Sequence, residues 1–124
     1  MTRTMQGHVD DYGRAIITFP IRPSDIAAAR ERSAWIDTGF NGELVLPQER
    51  IDDLELPPSG TLKAVLADGT EVALQRYTCQ IDRFGEQREI EVVANHGEYP
   101  LLGVGLLVSR DLQISYRSGK VTIE

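Results

Sequence analysis

Short, mostly apolar runs recur along the chain, and turn-forming residues separate them. Residues 15–21 (AIITFPI) are rich in the β-branched and aromatic side chains that strands prefer, and Pro20 places this strand near the edge of a sheet. Residues 33–36 and 43–46 predict two more short strands, joined by a polar turn. These recurring runs predict a mainly β protein, and the sequence contains no internal repeat.

Hairpin signals dominate the second half of the chain. The β-patterned residues 61–66 and 71–81 flank Ala67-Asp68-Gly69-Thr70, and an Asp-Gly pair between such runs is a strong hairpin signal. We therefore expect a long hairpin with a mobile tip. Phe84-Gly85 predicts a second turn, and the alternation in residues 89–94 predicts a strand with one buried face.

Helical patterns are few and short. Residues 47–54 begin with proline and space Ile51 and Leu54 as an amphipathic helix of one or two turns would. Residues 24–32 have a Ser or Asp cap but few large apolar side chains, so they predict either a short helix or a surface loop.

The C-terminal part ends in another hairpin signal. A brief helix ending at Val108 is expected first. Residues 112–116 and 120–123 then flank Arg117-Ser118-Gly119, which predicts two strands and a tight turn at the end of the chain.

Composition and charge narrow the class of protein. The 124 residues are 41% hydrophobic and 26% charged, values that fit a single globular domain spanning residues 1–124. The net charge of -6 opposes nucleic-acid binding, which depends on basic residues. The apolar runs fall short of the about 18 residues that a membrane-spanning helix needs, and the N-terminus lacks the apolar run of a secretory signal. We expect a cytoplasmic protein with neither nucleic acid nor membrane as a partner.

The cysteine, histidine and glycine positions of the sequence give little support for a catalytic thiol, a metal site or a dinucleotide-binding loop. The single Cys79 excludes an internal disulfide, and with two histidines it cannot complete a four-ligand zinc site, so we expect no metal and no cofactor. A Cys79–His96 nucleophile and base pair, or a metal held by His8 and His96, remains a minor alternative. The glycines in Gly103-Val104-Gly105 lack the third glycine of a dinucleotide loop.

The most informative local signal is Trp35-Ile36-Asp37-Thr38-Gly39, an apolar strand that delivers a carboxylate into a tight turn. Taken alone, the Asp-Thr-Gly triplet is also explained by an ordinary turn in which the Asp37 side chain caps its own backbone. The features that follow it in the chain decide between the two interpretations.

Four features follow one another in a characteristic order: WIDTGFNGELVLP, the hairpin around Asp68-Gly69, LLGVGLL at residues 101–107, and a closing hairpin. The sequence resembles the retroviral-type (retropepsin-like) aspartic proteases, the single-domain relatives of pepsin. The resemblance covers residues 33–124, with residues 15–21 as the first long strand, whereas residues 23–32 match nothing in the family. It implies a closed β-barrel with a flap hairpin and one or two short helices, assembled as a homodimer.

The resemblance also implies roles for the motif residues. Asp37 would be the catalytic aspartate, and the Thr38 hydroxyl would bind the backbone of the partner copy across the dyad. Gly39, which lacks a Cβ, would let the backbone approach the substrate. Leu101-Leu102-Gly103 would pass behind this loop and support it.

The substrate side departs from the family pattern. Ala67, Asp68 and Gly69 would form the flap tip that closes over a bound peptide. The family usually has a small residue where this chain has Phe40, which would line or crowd the cleft. Retroviral enzymes commonly pair an acidic residue with an arginine where this chain has Asn41 and Val104, so both members of the ion pair are replaced together.

One Asp-Thr-Gly triplet supplies one carboxylate, whereas aspartic proteolysis needs two that share a proton. The resemblance therefore requires a homodimer in which each copy contributes Asp37, acting on a peptide or protein substrate. We expect the interface to include the Asp37 loops and a sheet built from the chain termini. The alternative is a catalytically silent peptide-binding or dimerisation module of the same fold, because fold and activity need not coincide.

Overall fold

The structure, a computed structural model, describes residues 4–95 and 97–124. His96, which two of the alternatives invoke, lies outside the described residues. The described part is mainly β, as predicted. In chain order its elements are β1 (Met5–Val9), β2 (Ala15–Arg22), β3 (Arg30–Ile36), β4 (Leu44–Pro47), α1 (Gln48–Leu54), β5 (Pro58–Val65), β6 (Glu71–Arg83), β7 (Glu86–Asn95), β8 (Leu101–Leu102), a 3-10 turn (Val104–Leu106), β9 (Leu112–Ser115) and β10 (Lys120–Ile123).

The strands form one continuous series of pairings. Their order is β5-β6-β7-β4-β8-β3-β2-β1-β10-β9, and β2 pairs in addition with β6. This extra pairing, through Ile21 with Ile81 and Arg22 with Gln80, joins β6, β7, β4, β8, β3 and β2 into a circuit. The remaining strands, β1, β10 and β9, extend from β2, and β5 extends from β6 as the outer strand of a hairpin.

The core is made of alternating side chains from the strands of this circuit and from β10. Ile17, Phe19 and Ile21 of β2 are each at most 1% exposed, whereas Thr18 between them is exposed. This period of two buries one face of the strand. The inward faces of β4, β6, β7 and β10 contribute to the same cluster, and α1 covers one side of it.

The strand at residues 15–21 is confirmed, but its predicted place near an edge is wrong. β2 pairs with β3 on one side and with β1 and β6, in turn, on the other. Pro20 lies between the stretches that pair with β1 and β6, where this side of β2 has no strand partner. A proline, which has no N–H, is tolerated at such a gap.

β1 is a strand that the sequence analysis missed. Its half-buried positions Met5, Gly7 and Val9 alternate with exposed ones, but a glycine in the middle of a short run hides that pattern. Gly7 is needed there because a Cβ at this position would overlap the carbonyl oxygen of Ile16 on β2.

The helix predictions have mixed outcomes. α1 is confirmed, with Ile51 and Leu54 buried against the core, and it ends at Glu55 in the left-handed conformation. Of the two options for residues 24–32, the structure has a loop at residues 24–29, in which Ile26 is 93% exposed, whereas residues 30–32 already belong to β3. The brief helix before Val108 is a single 3-10 turn.

The three turns predicted in the second half of the chain are confirmed. β5 and β6 form the long hairpin, with Val65 opposite Glu71 and Gly69 in the left-handed region at its tip. Phe84 and Gly85 both have positive φ between β6 and β7, as a tight two-residue turn requires. β9 and β10 form the terminal hairpin. No helix within residues 4–95 and 97–124 is long and apolar enough to cross a membrane.

Candidate active site

Asp37 begins the loop directly after β3. Its backbone N–H donates to the Leu102 carbonyl over 2.9 Å, and its carbonyl accepts from the Phe40 N–H over 3.2 Å. One carboxylate oxygen, Oδ1, accepts from the Gly39 N–H over 2.9 Å. The capped turn that explains the triplet without catalysis is therefore present. Because it engages one oxygen of the two, the carboxylate keeps Oδ2 for another partner.

The segment at residues 101–105 lies behind the Asp37 loop. β8 pairs in parallel with β3, Leu102 opposite Ile36, and antiparallel with β4, Leu102 opposite Leu44. Beyond β8, the Gly103 N–H donates to the Glu43 carbonyl over 2.9 Å and the Val104 N–H to the Phe40 carbonyl over 2.8 Å. The loop between β3 and β4 is thus held along its length by hydrogen bonds to one remote segment.

The Phe40 side chain folds back over two glycines. A Cβ on Gly42 would overlap the far end of the Phe40 ring, and a Cβ on Gly103 would overlap its Cδ2 atom and the Gly42 carbonyl oxygen. Only glycine allows the ring and the two backbone segments to approach this closely.

A cleft of about 430 Å³ lies between the Asp37 loop and the β5–β6 hairpin. Phe40 and Asn41 line it, as the resemblance implies, together with Gly39. Asp37 and Thr38 are not among its lining residues; Asp37 is half-buried and Thr38 is exposed. The lining residues that the sequence analysis missed come from both sides of the cleft: Gly42, Glu43, Leu62, Ala64, Val65, Glu91 and Val93.

The hairpin residues Ala67, Asp68 and Gly69 lie at the exposed tip, apart from the cleft lining. Asp68 Oδ1 accepts from the Thr70 N–H over 2.9 Å. Hydrogen bonds from the side chain and backbone of Thr70 lower the pKa of Asp68. The tip carboxylate thus stabilises its own turn. The cleft wall on this side comes from β5 instead, through Leu62, Ala64 and Val65.

Two charged pairs border the cleft. Glu43 Oε1 accepts from the Glu91 N–H over 3.0 Å, and Glu43 Oε2 lies 3.3 Å from Arg88. The Glu91 carboxylate lies 2.7 Å from Arg76. Each glutamate of the lining therefore has a cationic neighbour at the rim of the cleft.

The thiol alternative is not supported by the surroundings of Cys79. Its side chain is 1% exposed, and burial, with smaller contributions from Glu43 and Glu89, raises its pKa to about 12. A thiol in this environment stays protonated at neutral pH and is a poor nucleophile. His8 is exposed on β1, and the described residues contain no group of three or more His, Cys, Asp or Glu side chains placed to hold a metal ion.

Comparison with known proteins gives matches at the level of structure. No protein-family model matches the chain, and no curated protein matches its sequence. A retropepsin-like aspartic protease from Rickettsia conorii superimposes with a TM-score of 0.67 and 16% identity, covering 99% of this chain and 91% of that one. The EIAV protease, solved in complex with an inhibitor, superimposes with a TM-score of 0.54 and 16% identity, covering 77% of this chain and 86% of that one. This chain therefore has the retropepsin-like fold.

Proposed function

We propose that residues 1–124 form one aspartic endopeptidase domain, which hydrolyses peptide bonds with a water activated by two copies of Asp37 across a homodimer. The observation that carries this proposal is the placement of Asp37 in a retropepsin-like fold: it begins a loop that residues 101–105 hold and that lines a cleft of about 430 Å³. A strand followed by Asp-Thr-Gly at that place in that fold matches the resemblance seen in the sequence.

The chemistry requires two carboxylates that share one proton. Two carboxyl groups a few ångströms apart do not both ionise readily, so one stays protonated. The charged Asp37 takes a proton from water as the water oxygen attacks the scissile carbonyl carbon, while the protonated Asp37 of the other copy donates a hydrogen bond to the carbonyl oxygen. The proton is then passed to the leaving nitrogen, the C–N bond breaks, and a carboxylic acid and an amine are released.

The proposed dimer brings the two Asp37 loops together at a two-fold axis, with each exposed Thr38 hydroxyl bonding to the backbone of the other copy. Of the described strands near the chain ends, β9 is the one left to pair in a terminal sheet shared by two copies. Within the chain, β1 already pairs with β2 and β10, and β10 with β1 and β9, whereas β9 is the last strand of the series.

The proposed substrate is an extended peptide between the Asp37 loop and the β5–β6 hairpin, with that hairpin as the flap. Gly39 and Asn41 would face the peptide backbone on one side, and Leu62 and Val65 its side chains on the other. The tip residues Ala67, Asp68 and Gly69 would meet the peptide only when the flap closes. The circuit of strand pairings supports the closed barrel that this arrangement needs.

A catalytically silent peptide-binding or dimerisation module is the second candidate. The observation in its favour is the hydrogen bond from the Gly39 N–H to Asp37 Oδ1. This bond gives the carboxylate a structural task that needs no catalysis.

Asp37→Asn separates the two candidates. The amide keeps the shape of the carboxylate and an oxygen for the Gly39 N–H, but it cannot take a proton from water. We expect peptide turnover to be lost and the dimer to persist in sedimentation equilibrium. Asp53→Asn, an exposed carboxylate on α1, is the matched control and should cleave like the parent. An Asp37→Asn variant that cleaves as well as the parent would overturn the peptidase assignment.

Subunit mixing tests the shared site. If each site needs Asp37 from both copies, an equal mixture of parent and Asp37→Asn subunits, after exchange, retains about one quarter of the activity of the same total amount of parent protein, because random pairing makes about one quarter parent dimers. Independent sites would instead retain about one half. If the mixture retained one half of the activity while pure Asp37→Asn had none, Asp37 would still be the catalytic residue, but a site shared between two copies would be excluded.

A further inference from the structure

The Phe40 ring is packed against two glycines that differ in what surrounds them. At Gly42, the three atoms nearest to an added Cβ are all ring atoms of Phe40: Cζ, Cε1 and Cε2. At Gly103, an added Cβ would meet the Gly42 carbonyl oxygen, the Phe40 carbonyl oxygen and the ring Cδ2 atom. The ring therefore fills the space over Gly42 by its far end, whereas Gly103 is enclosed largely by backbone.

The backbone of Phe40 connects this ring to Asp37. The Phe40 N–H donates to the Asp37 carbonyl over 3.2 Å, which closes the turn that contains Gly39. On the other side, the Phe40 carbonyl accepts from the Val104 N–H over 2.8 Å. The ring therefore belongs to a residue whose backbone is hydrogen-bonded on both sides within the loop that holds Asp37.

We infer that Phe40 is a positioning residue, whose ring, seated on Gly42 and Gly103, fixes the Asp37 loop in the geometry that catalysis needs. We call the packing of the Phe40 ring against Gly42 and Gly103 the seat. The effect of the seat on kcat rests on the proposed function, whereas the packing itself does not. The glycines at 42 and 103 make room for the aromatic side chain of Phe40. Displacing a catalytic group by about 1 Å can reduce the rate about 100-fold, so the seat controls turnover even though the ring takes no part in the chemistry.

The two glycines provide a variant and its matched control. Gly42→Ala should displace the ring and reduce kcat by about 100-fold, because the loop that holds Asp37 is misplaced. KM should change less, because Leu62, Ala64 and Val65 on the other side of the cleft keep their positions. Phe40→Leu lacks the three ring atoms that the new Cβ would meet, so Phe40→Leu/Gly42→Ala should turn over no more slowly than Phe40→Leu alone. Gly103→Ala should be damaging with either residue at position 40, because leucine keeps the carbonyl oxygen and a δ carbon.

A second readout tests the seat without activity. In the parent protein, the ring current of Phe40 should shift the Hα resonances of Gly42 and Gly103 away from their values in Phe40→Leu, as measured by NMR. The thermal midpoint should show the same coupling, with Gly42→Ala lowering it in the parent background and scarcely changing it in the Phe40→Leu background.

The outcomes separate this inference from the proposed function. The seat would be refuted if Gly42→Ala lowered the thermal midpoint equally in the parent and in Phe40→Leu, and if the glycine Hα resonances did not respond to Phe40→Leu. This holds whether or not the protein cleaves peptides. A second outcome is that the thermal midpoints are coupled but Gly42→Ala leaves kcat unchanged, in a protein whose cleavage depends on Asp37. This outcome would refute the positioning role of Phe40 but not the peptidase assignment. If the parent does not cleave peptides, the proposed function fails, and with it the positioning role, while the seat is still decided by NMR.

Discussion

The backbone N–H of Asp37 donates to the carbonyl of Leu102, with 2.9 Å between nitrogen and oxygen. This bond connects the end of β3 to β8, two elements far apart in the chain but adjacent in the sheet. The position of the candidate catalytic carboxylate therefore depends on a two-residue strand near the C-terminus. Damage to β8 should consequently affect both stability and the proposed activity.

Leu102→Ala tests this dependence. Leu102 is 3% exposed between Ile36 and Leu44, and truncating such a side chain lowers the free energy of unfolding by about 2–5 kcal/mol. We expect a correspondingly lower urea midpoint and weaker turnover. Leu62→Ala is the control, because Leu62 is 38% exposed on the hairpin and should cost far less stability. Equal losses of stability in the two variants would contradict the supporting role of β8.

The sequence predicts the elements whose signals are local. Asp68-Gly69 marks the long hairpin because an Asp-Gly turn has a characteristic backbone conformation, and the spacing of Ile51 and Leu54 marks α1 because a helix repeats every 3.6 residues. The Asp37 turn is visible for the same reason: an apolar run ends at a carboxylate and a glycine.

The remaining features arise from contacts between distant segments. Pro20 indicates an edge strand by its chemistry, yet β2 has partners on both sides, because its second partner changes at that point. The pairing of Leu102 with both Ile36 and Leu44 has no local signal. Leu62 and Val65 form a cleft wall only because the hairpin folds over the Asp37 loop.

Gly7→Ala tests the pairing of β1 with β2. A Cβ at Gly7 would overlap the carbonyl oxygen of Ile16, and a rigid backbone atom cannot move aside without breaking the ladder. We expect the free energy of unfolding to fall by about 1–3 kcal/mol, the usual cost of overpacking. Gln6→Ala, at the neighbouring exposed position, should change it by no more than about 0.5 kcal/mol. A Gly7→Ala protein with the parent's thermal midpoint would argue against this register.

Because the Cys79 thiol is buried, we expect the protein to lose stability in alkaline solution. Burial raises the thiol pKa from 9.0 to about 12 in the folded protein. Between these two values the unfolded chain releases the proton and the folded one keeps it, so stability contributed by the neutral thiol is lost as the pH rises. The slope reaches about 1.4 kcal/mol per pH unit. Urea unfolding above about pH 9 should show a steeper decline for the parent than for Cys79→Ala.

The burial of Cys79 also predicts that its thiol is unreactive in the folded protein. A protonated thiol that is 1% exposed should react with a disulfide reagent only after the protein is unfolded. Cleavage by the folded protein should therefore survive treatment with thiol reagents. If the disulfide reagent labelled the native protein rapidly and cleavage was lost, this result would support a catalytic role for the Cys79 thiol.

The pH dependence of cleavage distinguishes a shared carboxylate pair from other hydrolytic sites. Because one proton must be held between the two copies of Asp37, removing it at high pH and adding a second at low pH both inactivate the pair. We expect a bell-shaped kcat/KM profile with its maximum at mildly acidic pH, measured on a peptide that Asp37→Asn does not cleave. A metal chelator should leave the profile unchanged, and a transition-state mimic of peptide hydrolysis should inhibit at the maximum if it fits the cleft. A flat profile from about pH 5 to pH 9, or complete loss with the chelator, would contradict the dyad, because neither behaviour follows from two carboxylates sharing one proton.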